Sequence, residues 1–267
     1  MRDRGGASGP GDSRPRPGAF WRTGIARVRP NEIVIRGHDL IPMIGTRSFG
    51  DVVFLLLAGR LPEGNEGRML EAILVSACEH SLVAPSVDAA RFVASAGVPL
   101  QAAVAAGTIG LGDHHGGAVD HGAAMLLEAH ATGLPPSKAA VEVAGRYRAE
   151  GRRLPGYGHV VHDPDPRAGR LLEVATELGF DGRFVELARA FEDATETVLE
   201  RRLAMNIDGA MASLLLELGL DPRLGKAFYV IARAPGLVAH VVEEQTRERP
   251  YRDIGWEHVE YDGPEPR

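Results

Sequence analysis

Three histidines stand where a ligand can reach an imidazole ring. His115 precedes two glycines in "HHGGAVDHG", His159 follows a glycine in "LPGYGHVVHDPDPRA", and His80 follows a helical stretch in "EHSLVAPS". A glycine beside a histidine removes side-chain bulk, so a ligand can approach the backbone and the imidazole together. Most of the 10 histidines are expected to be solvated or hydrogen-bonded bystanders. The context of these three predicts hydrogen-bonding or acid–base roles instead.

One aspartate and three arginines add charge to this set. Asp208 in "MNID" stands at an expected helix start, where an aspartate is either a helix cap or an acid–base group. The arginines are Arg167 after "DPDP", Arg233 in "IARAPG" and Arg249 in "ERPY". A planar guanidinium can hold a carboxylate through two parallel hydrogen bonds, which makes these three the candidate arginines. Each arginine taken alone would be assigned to the solvated surface.

The glycine-rich run over residues 107–122, "GTIGLGDHHGGAVDHG", is not a nucleotide-binding loop. Its glycines are in the wrong order for a dinucleotide fingerprint, and no strand–helix–strand unit surrounds it. The sequence also has no glycine-rich loop ending in Gly-Lys-Ser/Thr and no Gly-x-Ser-x-Gly turn. Phosphate-cradling and α/β-hydrolase chemistry are therefore not expected.

A metal site is the main alternative for the same run. His114, His115, Asp120 and His121 lie within eight residues and are all possible ligands. A helix that begins near residue 118 places Asp120 and His121 on different faces from the loop histidines, and no His-Glu-x-x-His pattern is present. We expect no metal here, and a metal-dependent lyase using His114, His115 and His121 remains the alternative.

The elements that position these residues are mainly helices. The apolar spacing predicts a first helix from Ser48 to a stop at Gly59. Further helices are expected near 65–80, 87–96, 99–111, 118–132, 137–149, 166–179, 185–204, 208–218 and 223–246. Strand alternation occurs around "RPNE" in residues 23–40 and predicts one small hairpin. The fold class is therefore all-α with an N-terminal β-hairpin.

Composition limits the classes of partner. The 267 residues are 44% hydrophobic and carry a net charge of −6, which gives no basic excess for nucleic acid. No run approaches the ~20 apolar residues of a membrane span, and the N-terminus lacks the apolar stretch of a secretory signal. Residues 1–18 are rich in Gly, Pro, Arg and Ser, which predicts a disordered tail. We expect a cytoplasmic protein with neither nucleic-acid nor membrane partners.

Five segments in order resemble the citrate synthase superfamily. They are "EHSLVAPS", "HHGGAVDHG", "LPGYGHVVHDPDPRA", "MNID" and "IARAPGLVAHVVEEQTRERP", and "RGHDLIPMIGTRSFGDVVFLLLAGRLP" is similar to the N-terminal region of that family. The resemblance covers about residues 20–252. It implies a two-domain helical homodimer with a tail at 1–18, a large domain from 19–119 and 216–267, and a small domain at 120–215.

The same resemblance implies catalytic roles. His115 matches the family histidine that hydrogen-bonds the acyl-CoA thioester carbonyl, and His159 matches the one that polarises the oxaloacetate ketone. Asp208 matches the general base. A thioester α-proton is weakly acidic, so a carboxylate removes it only where the enolate oxygen meets a preorganised donor. Asp208 and His115 fit that division of work.

Binding roles follow from the resemblance as well. His80, Arg167 and Arg233 match ligands of oxaloacetate or citrate, and Arg249 matches an arginine that reaches into the partner subunit's site. The residues expected beside coenzyme A are Pro155, Gly156, Tyr157 and Gly158. The implied partners are an acyl-CoA and a 2-oxo dicarboxylate, with coenzyme A as part of the substrate and no further cofactor.

The sequence departs from the common synthases at two positions and in length. Val119 stands where an asparagine is usual, and Val160 stands where a basic residue is usual. Short members of the superfamily include citryl-CoA lyase-like proteins, which cleave the carbon–carbon bond without hydrolysing a thioester. The implied activity is the interconversion of acetyl-CoA plus oxaloacetate with citryl-CoA or citrate. Cleavage of citryl-CoA alone, and a non-catalytic coenzyme A- or dicarboxylate-binding protein, stay open as alternatives.

Overall fold

A computed structural model describes residues 21–266 of the chain. The tail expected at residues 1–18 lies outside the described residues. The chain divides after Ser48 into two units.

The first unit contains the expected hairpin. Strands β1 (Ala26–Arg29) and β2 (Glu32–Ile35) pair antiparallel, with Ala26 opposite Ile35 and Arg29 opposite Glu32. Asn31 in the turn has φ 59°, a left-handed conformation that asparagine tolerates better than most residues. A third strand, β3 (His38–Asp39), pairs with β2, and a four-residue helix α1 (Leu40–Met43) follows with Asp39 as its N-cap. These last two elements are too short to produce a periodic pattern, so the sequence did not predict them.

The second unit is built from helices, which confirms the predicted fold class. They are α2 (Phe49–Ala58), α3 (Glu66–Ser76), α4 (Pro85–Ser95), α5 (Leu100–Ile109), α6 (Ala118–Ala131), α7 (Pro136–Ala149), α8 (Pro166–Leu178), α9 (Arg183–Leu199), α10 (Ile207–Glu217) and α11 (Gly225–Arg247). Short 3-10 turns occur at Ser81–Val83, Pro222–Leu224 and Trp256–His258.

Two helix ends differ most from the prediction. Helix α3 ends at Ser76 rather than near residue 80, so His80 lies in a loop before a 3-10 turn. Helix α9 ends at Leu199 rather than near 204, because Glu200 adopts a left-handed conformation with φ 57°. The residues after Glu200 are thereby free to run beside the loop that carries His159. Both differences place loop backbone where the prediction had helix.

The core surrounds helix α10. Nearly every residue of α10 is buried, and the helix packs against α6, α8 and α9. A separate apolar cluster joins α4, α5 and α11, where Gly107 permits close approach because a Cβ there would lie 2.7 Å from the carbonyl oxygen of Ser86. A helix buried on all faces has a fixed position, so the start of α10 is a rigid place for a functional side chain. The division into a large and a small domain remains a prediction.

Candidate active site

A cavity of about 580 Å³ lies where the start of α10 meets the loops before α4, α6 and α8. It gathers six of the predicted site residues from distant parts of the sequence, together with two from the loop of residues 155–158, which is called the glycine loop below. They are His80, His115, Tyr157, Gly158, His159, Arg167, Asp208 and Arg233. All eight belong to the second unit.

The loop that carries His159 is bonded to the segment that leads into α10. The Gly158 N–H donates to the Ala204 carbonyl at 2.8 Å, and the Asn206 N–H donates to the Gly156 carbonyl at 3.0 Å. Gly156 has φ +88°, and a Cβ there would lie 2.6 Å from the Cα of Gly209. Only glycine permits this approach. The loop and the helix start therefore place His159 and Asp208 as one structural piece.

Asp208 lies in the first turn of α10, half-buried, with one carboxylate oxygen engaged. The hydroxyl of Tyr229 on α11 donates to its Oδ1. Asn206 caps the helix instead, because its Oδ1 accepts from the N–H groups of Asp208 and Gly209 at 2.9 and 3.3 Å. Burial raises the pKa of Asp208 above its ordinary value, and the Tyr229 hydrogen bond and the charge of Arg167 oppose that rise. A carboxylate that is not spent on capping is available for proton transfer.

The imidazole of His159 has a defined tautomer. Its Nδ1 accepts hydrogen bonds from the N–H groups of Val161 at 3.0 Å and His162 at 3.1 Å. A backbone N–H can only donate, so in the neutral ring the proton resides on Nε2. Burial lowers the pKa of His159, which favours the neutral form. His159 therefore presents an N–H donor from Nε2.

His115 has the opposite tautomer. Its Nε2 lies 2.8 Å from the hydroxyl oxygen of Ser86 and accepts from the Ser86 N–H at 3.4 Å. Ser86 is in the first turn of α4, where the helix dipole disfavours a positive imidazolium. Burial, with the charge of Arg233, lowers the pKa of His115. The ring is neutral with its proton on Nδ1, so Nδ1 is the donor left for a ligand.

His80 is a neutral ring with a free nitrogen. Burial first, then the charge of Arg167, lowers its pKa from 6.5 to about 4. Its Nε2 is buried without a hydrogen-bond partner among the described residues. The ring centroid lies 5.5 Å from that of His159 and 5.5 Å from that of His162. A buried imidazole nitrogen without a partner is a place for a ligand's polar atom.

The two cavity arginines differ in how their charge is compensated. Arg167 binds Asp165 through two parallel bonds, Nε to Oδ1 at 3.0 Å and Nη2 to Oδ2 at 2.8 Å. Arg233 is only 2% exposed, donates through Nε to the Ala77 carbonyl at 3.0 Å, and has no partner for Nη1 among residues 21–266. Burial lowers its pKa. A buried cation without a carboxylate is costly, so the site is built to receive an anion at Arg233.

Other predicted residues lie away from the cavity lining. Arg249 is exposed, just beyond the end of α11. Pro155 and Gly156 pack toward α6 and α10 rather than lining the cavity, and the Tyr157 hydroxyl is buried on the Ala188 carbonyl at 2.7 Å. Within one chain the glycine loop therefore presents only Tyr157 and Gly158 to a ligand in this cavity.

The departures from the common synthases have different surroundings. Val119 is fully buried in α6, whereas Val160 is 96% exposed at the cavity rim.

The residues weighed as metal ligands do not form a metal site. One of them, Asp120, accepts a hydrogen bond from the Lys226 backbone N–H at 2.6 Å. Within residues 21–266, no group of three His, Cys, Asp or Glu side chains is arranged to hold a metal ion.

Four residues of the site were not among the predicted site residues. Tyr229 and Ser86 contact the catalytic candidates Asp208 and His115. Asp165 binds the guanidinium of Arg167, and Asn206 binds the backbone just before His159. The sequence carried a signal for Asp165, which precedes a first-turn proline, and for Asn206 in "MNID". It carried none for Tyr229 or Ser86, because both reach the site from other helices across the fold.

The family follows from comparison of the whole chain with known proteins. Residues 63–253 match the family model described as "Citrate synthase, C-terminal domain". The chain belongs to the citrate synthase family.

Individual relatives include lyases and synthases. The structure of citryl-CoA lyase from Hydrogenobacter thermophilus is similar with a TM-score of 0.87 and 39% identity, over 93% of this chain and 97% of that one. Citrate/2-methylcitrate synthase of Bacillus subtilis is 29% identical over 87% of this chain and 60% of its own length. Citrate synthase from Thermotoga maritima matches with a TM-score of 0.68 and 26% identity, over 82% of this chain and 58% of that one. The chain thus spans less than two thirds of these two synthases.

Within residues 21–266, no helix has the length and apolarity needed to span a membrane.

Proposed function

We propose that this chain makes and breaks the carbon–carbon bond that joins acetyl-CoA and oxaloacetate in citryl-CoA. The observation that carries the proposal is one cavity holding a carboxylate, two neutral histidines of opposite tautomer and a buried arginine whose Nη1 has no partner among residues 21–266. The similarity to a citryl-CoA lyase along almost the whole of both chains supports the same reaction.

Asp208, His115 and His159 can carry the proton transfer and the hydrogen bonds that this reaction needs. In the condensing direction, ionised Asp208 takes a proton from the methyl carbon of acetyl-CoA, and the C–H electron pair forms the enolate. The Nδ1–H of His115 hydrogen-bonds the enolate oxygen. The enolate carbon then attacks the ketone carbon of oxaloacetate, whose oxygen accepts a hydrogen bond from the Nε2–H of His159 and takes up a proton from solvent, while Asp208 returns its proton to solvent. Cleavage is the same sequence in reverse.

The remaining residues suit the carboxylates of oxaloacetate. The Nη1 of Arg233 is a donor, and the Nε2 of His80 is a second polar nitrogen, and both lack hydrogen-bond partners among the described residues. Asp165 binds Nε and Nη2 of Arg167, so Nη1 is the guanidinium nitrogen left for a ligand. Planar guanidinium groups bind carboxylates with defined geometry, which fixes the ketone beside His159. The reaction uses coenzyme A only as part of the substrate, beside the loop of Pro155, Gly156, Tyr157 and Gly158.

A second copy of the chain completes the site in this proposal. Arg249 is exposed and has no hydrogen bond or ion pair to a residue in the range 21–266, so its guanidinium is free to bind elsewhere. In a two-fold homodimer each subunit gives Arg249 to the other's cavity. The sites are then shared, and a monomer lacks part of the carboxylate clamp.

One assay tests the reaction. The purified protein is mixed with citryl-CoA, and separately with acetyl-CoA plus oxaloacetate, while free coenzyme A, oxaloacetate and citryl-CoA are followed. Release of oxaloacetate and acetyl-CoA from citryl-CoA supports the proposal, and release of free coenzyme A and citrate identifies the full synthase reaction.

Asp208→Asn serves as the matched control for that assay. We expect it to lose nearly all turnover while oxaloacetate binding, measured by calorimetry, stays largely intact, because the base acts on a proton that oxaloacetate binding does not involve. Ligand binding without turnover in the wild-type protein would instead favour the non-catalytic binding protein. Wild-type turnover in the Asn variant would remove Asp208 from the mechanism.

A further inference from the structure

Tyr229 is a buried tyrosine whose hydroxyl reaches the proposed base. It lies on α11, is 6% exposed, and donates its O–H to Oδ1 of Asp208. It also forms part of the cavity wall. No other hydrogen bond reaches either carboxylate oxygen of Asp208 from the residues that the structure describes.

The two oxygens of Asp208 are therefore unequal. Oδ1 accepts the hydroxyl of Tyr229. Oδ2 accepts no hydrogen bond from the described residues and is not fully buried. A carboxyl group can accept the tyrosine O–H at Oδ1 whether it is ionised or protonated, provided that its own proton is on the other oxygen. Tyrosine, with an ordinary pKa near 10, remains a donor over the working pH range, and burial raises the pKa of Tyr229 well above that value.

We propose that Tyr229 is a positioning residue that makes Oδ2 of Asp208 the oxygen that exchanges the proton with the acyl-CoA carbon, and that stabilises the ionised carboxylate. This inference rests on the proposed function and deepens it. In condensation, the C–H proton passes to Oδ2 and its electron pair enters the enolate. In cleavage, the proton on Oδ2 passes back to the enolate carbon and the carboxylate is left on Asp208.

The groups around Asp208 define how its protonation responds. The charged or titratable groups that face it come from three places. They are Tyr229 from α11, Arg167 and Asp165 from the start of α8, and His159 directly after the glycine loop. Burial raises the pKa of Asp208, while Tyr229, Arg167 and His159 lower it. Among these groups, Tyr229 is the one that hydrogen-bonds the carboxylate directly.

Replacing Tyr229 with phenylalanine removes the donor and keeps the ring. We expect the pKa of Asp208 to rise by about one unit, since a hydrogen bond to a charged group is worth at least that much. Condensation requires ionised Asp208, and cleavage requires protonated Asp208. The pH limb governed by Asp208 therefore moves upward by about one unit in Tyr229→Phe in either direction of assay.

Direct titration of the carboxyl separates this inference from the proposed reaction. The protein is labelled with ¹³C at the aspartate Cγ, and Asp208→Asn identifies the Asp208 resonance. Its midpoint should lie about one unit higher in Tyr229→Phe than in the wild-type protein. Tyr147→Phe, which alters another buried tyrosine on α7, is the control and should leave the midpoint in place.

A second measurement needs no tyrosine variant and covers the case of a poorly folded Tyr229→Phe. With ¹³C at the tyrosine Cζ, one of the 5 tyrosine resonances of the wild-type protein should titrate at the Asp208 midpoint. That titration should be missing in Asp208→Asn. A wild-type protein that is inactive with every substrate but shows these shifts would overturn the reaction and support the Tyr229–Asp208 linkage. An unchanged or lower midpoint in Tyr229→Phe, or no tyrosine resonance that follows Asp208, would overturn the linkage itself.

Discussion

The side-chain amide of Asn206 donates to the carbonyl oxygen of Gly158 with 2.6 Å between Nδ2 and O. Its other end, Oδ1, accepts from the N–H groups of Asp208 and Gly209 in the first turn of α10. One asparagine therefore connects the loop that precedes His159 with the helix that carries Asp208. A backbone carbonyl only accepts and a backbone N–H only donates, so the orientation of the amide is determined by its partners. This connection ties the backbone just before His159 to the backbone of Asp208.

Arg233→Met should separate stability from ligand binding. The variant removes a buried charge that has no carboxylate partner among the described residues, so the free energy of unfolding should change by no more than about 1 kcal/mol in the absence of ligand. Affinity for oxaloacetate should fall roughly 30-fold or more, because loss of one partner of a buried charged pair costs about 2 kcal/mol at least. Urea unfolding and calorimetry measure the two quantities.

The control for that variant is Arg223→Met, since Arg223 is exposed and pairs with Asp221 in a 3-10 turn. Neither quantity should change appreciably there. Unaltered oxaloacetate affinity in Arg233→Met would exclude Arg233 from the carboxylate site.

His80 should make the protein less stable as the pH falls below neutrality. The unfolded chain binds a proton at His80 near pH 6.5, whereas the folded protein does so only near pH 4. Its contribution to stability is therefore fully present above about pH 6.5 and is lost progressively as the pH falls toward about 4. In His80→Asn, the free energy of unfolding should decline less steeply with falling pH over this interval. The difference in slope should be at most that produced by the binding of one proton. The exposed His258→Asn is the control and should keep the wild-type slope; equal slopes in His80→Asn and the wild-type protein would contradict the assignment.

Chelation should leave activity unchanged in the proposed mechanism. Arginines and histidines supply the positive charge and the hydrogen-bond donors that the enolate and the carboxylates require. The measurement is turnover of citryl-CoA before and after extended dialysis against EDTA, with dialysis against buffer alone as the control. Activity that disappears in EDTA and returns with Zn²⁺ would favour the metal-dependent lyase that uses His114, His115 and His121.

Mixed dimers test the sharing of Arg249 between subunits. Asp208→Asn and Arg249→Ala should each be inactive as homodimers. After subunit exchange, one of the two sites in each heterodimer combines a wild-type Asp208 with a wild-type Arg249, so up to about half of the sites in that species should work. The assay is turnover of the mixture, with exchange verified by mass spectrometry of differently tagged subunits. Verified exchange without recovered activity would show that Arg249 does not complete a partner's site.

The sequence by itself determined the helices, the hairpin and eight of the residues that line the cavity. These features depend on neighbours along the chain: apolar spacing predicts a helix, Asp165 before Pro166 predicts its start, and a histidine among glycines indicates access for a ligand. The ordered motifs added the family, which the comparison of residues 63–253 established.

Tertiary structure decided what each of these residues can do. The opposite tautomers of His115 and His159 depend on Ser86 and on the backbone after His159. Nη1 of Arg233 has no partner within residues 21–266 because of where α11 is buried. The hydroxyl of Tyr229 reaches Asp208 across the packing of two helices. Protonation and hydrogen bonding are set by groups within a few ångströms, and the fold brings these groups together from distant positions that no local pattern in the sequence relates.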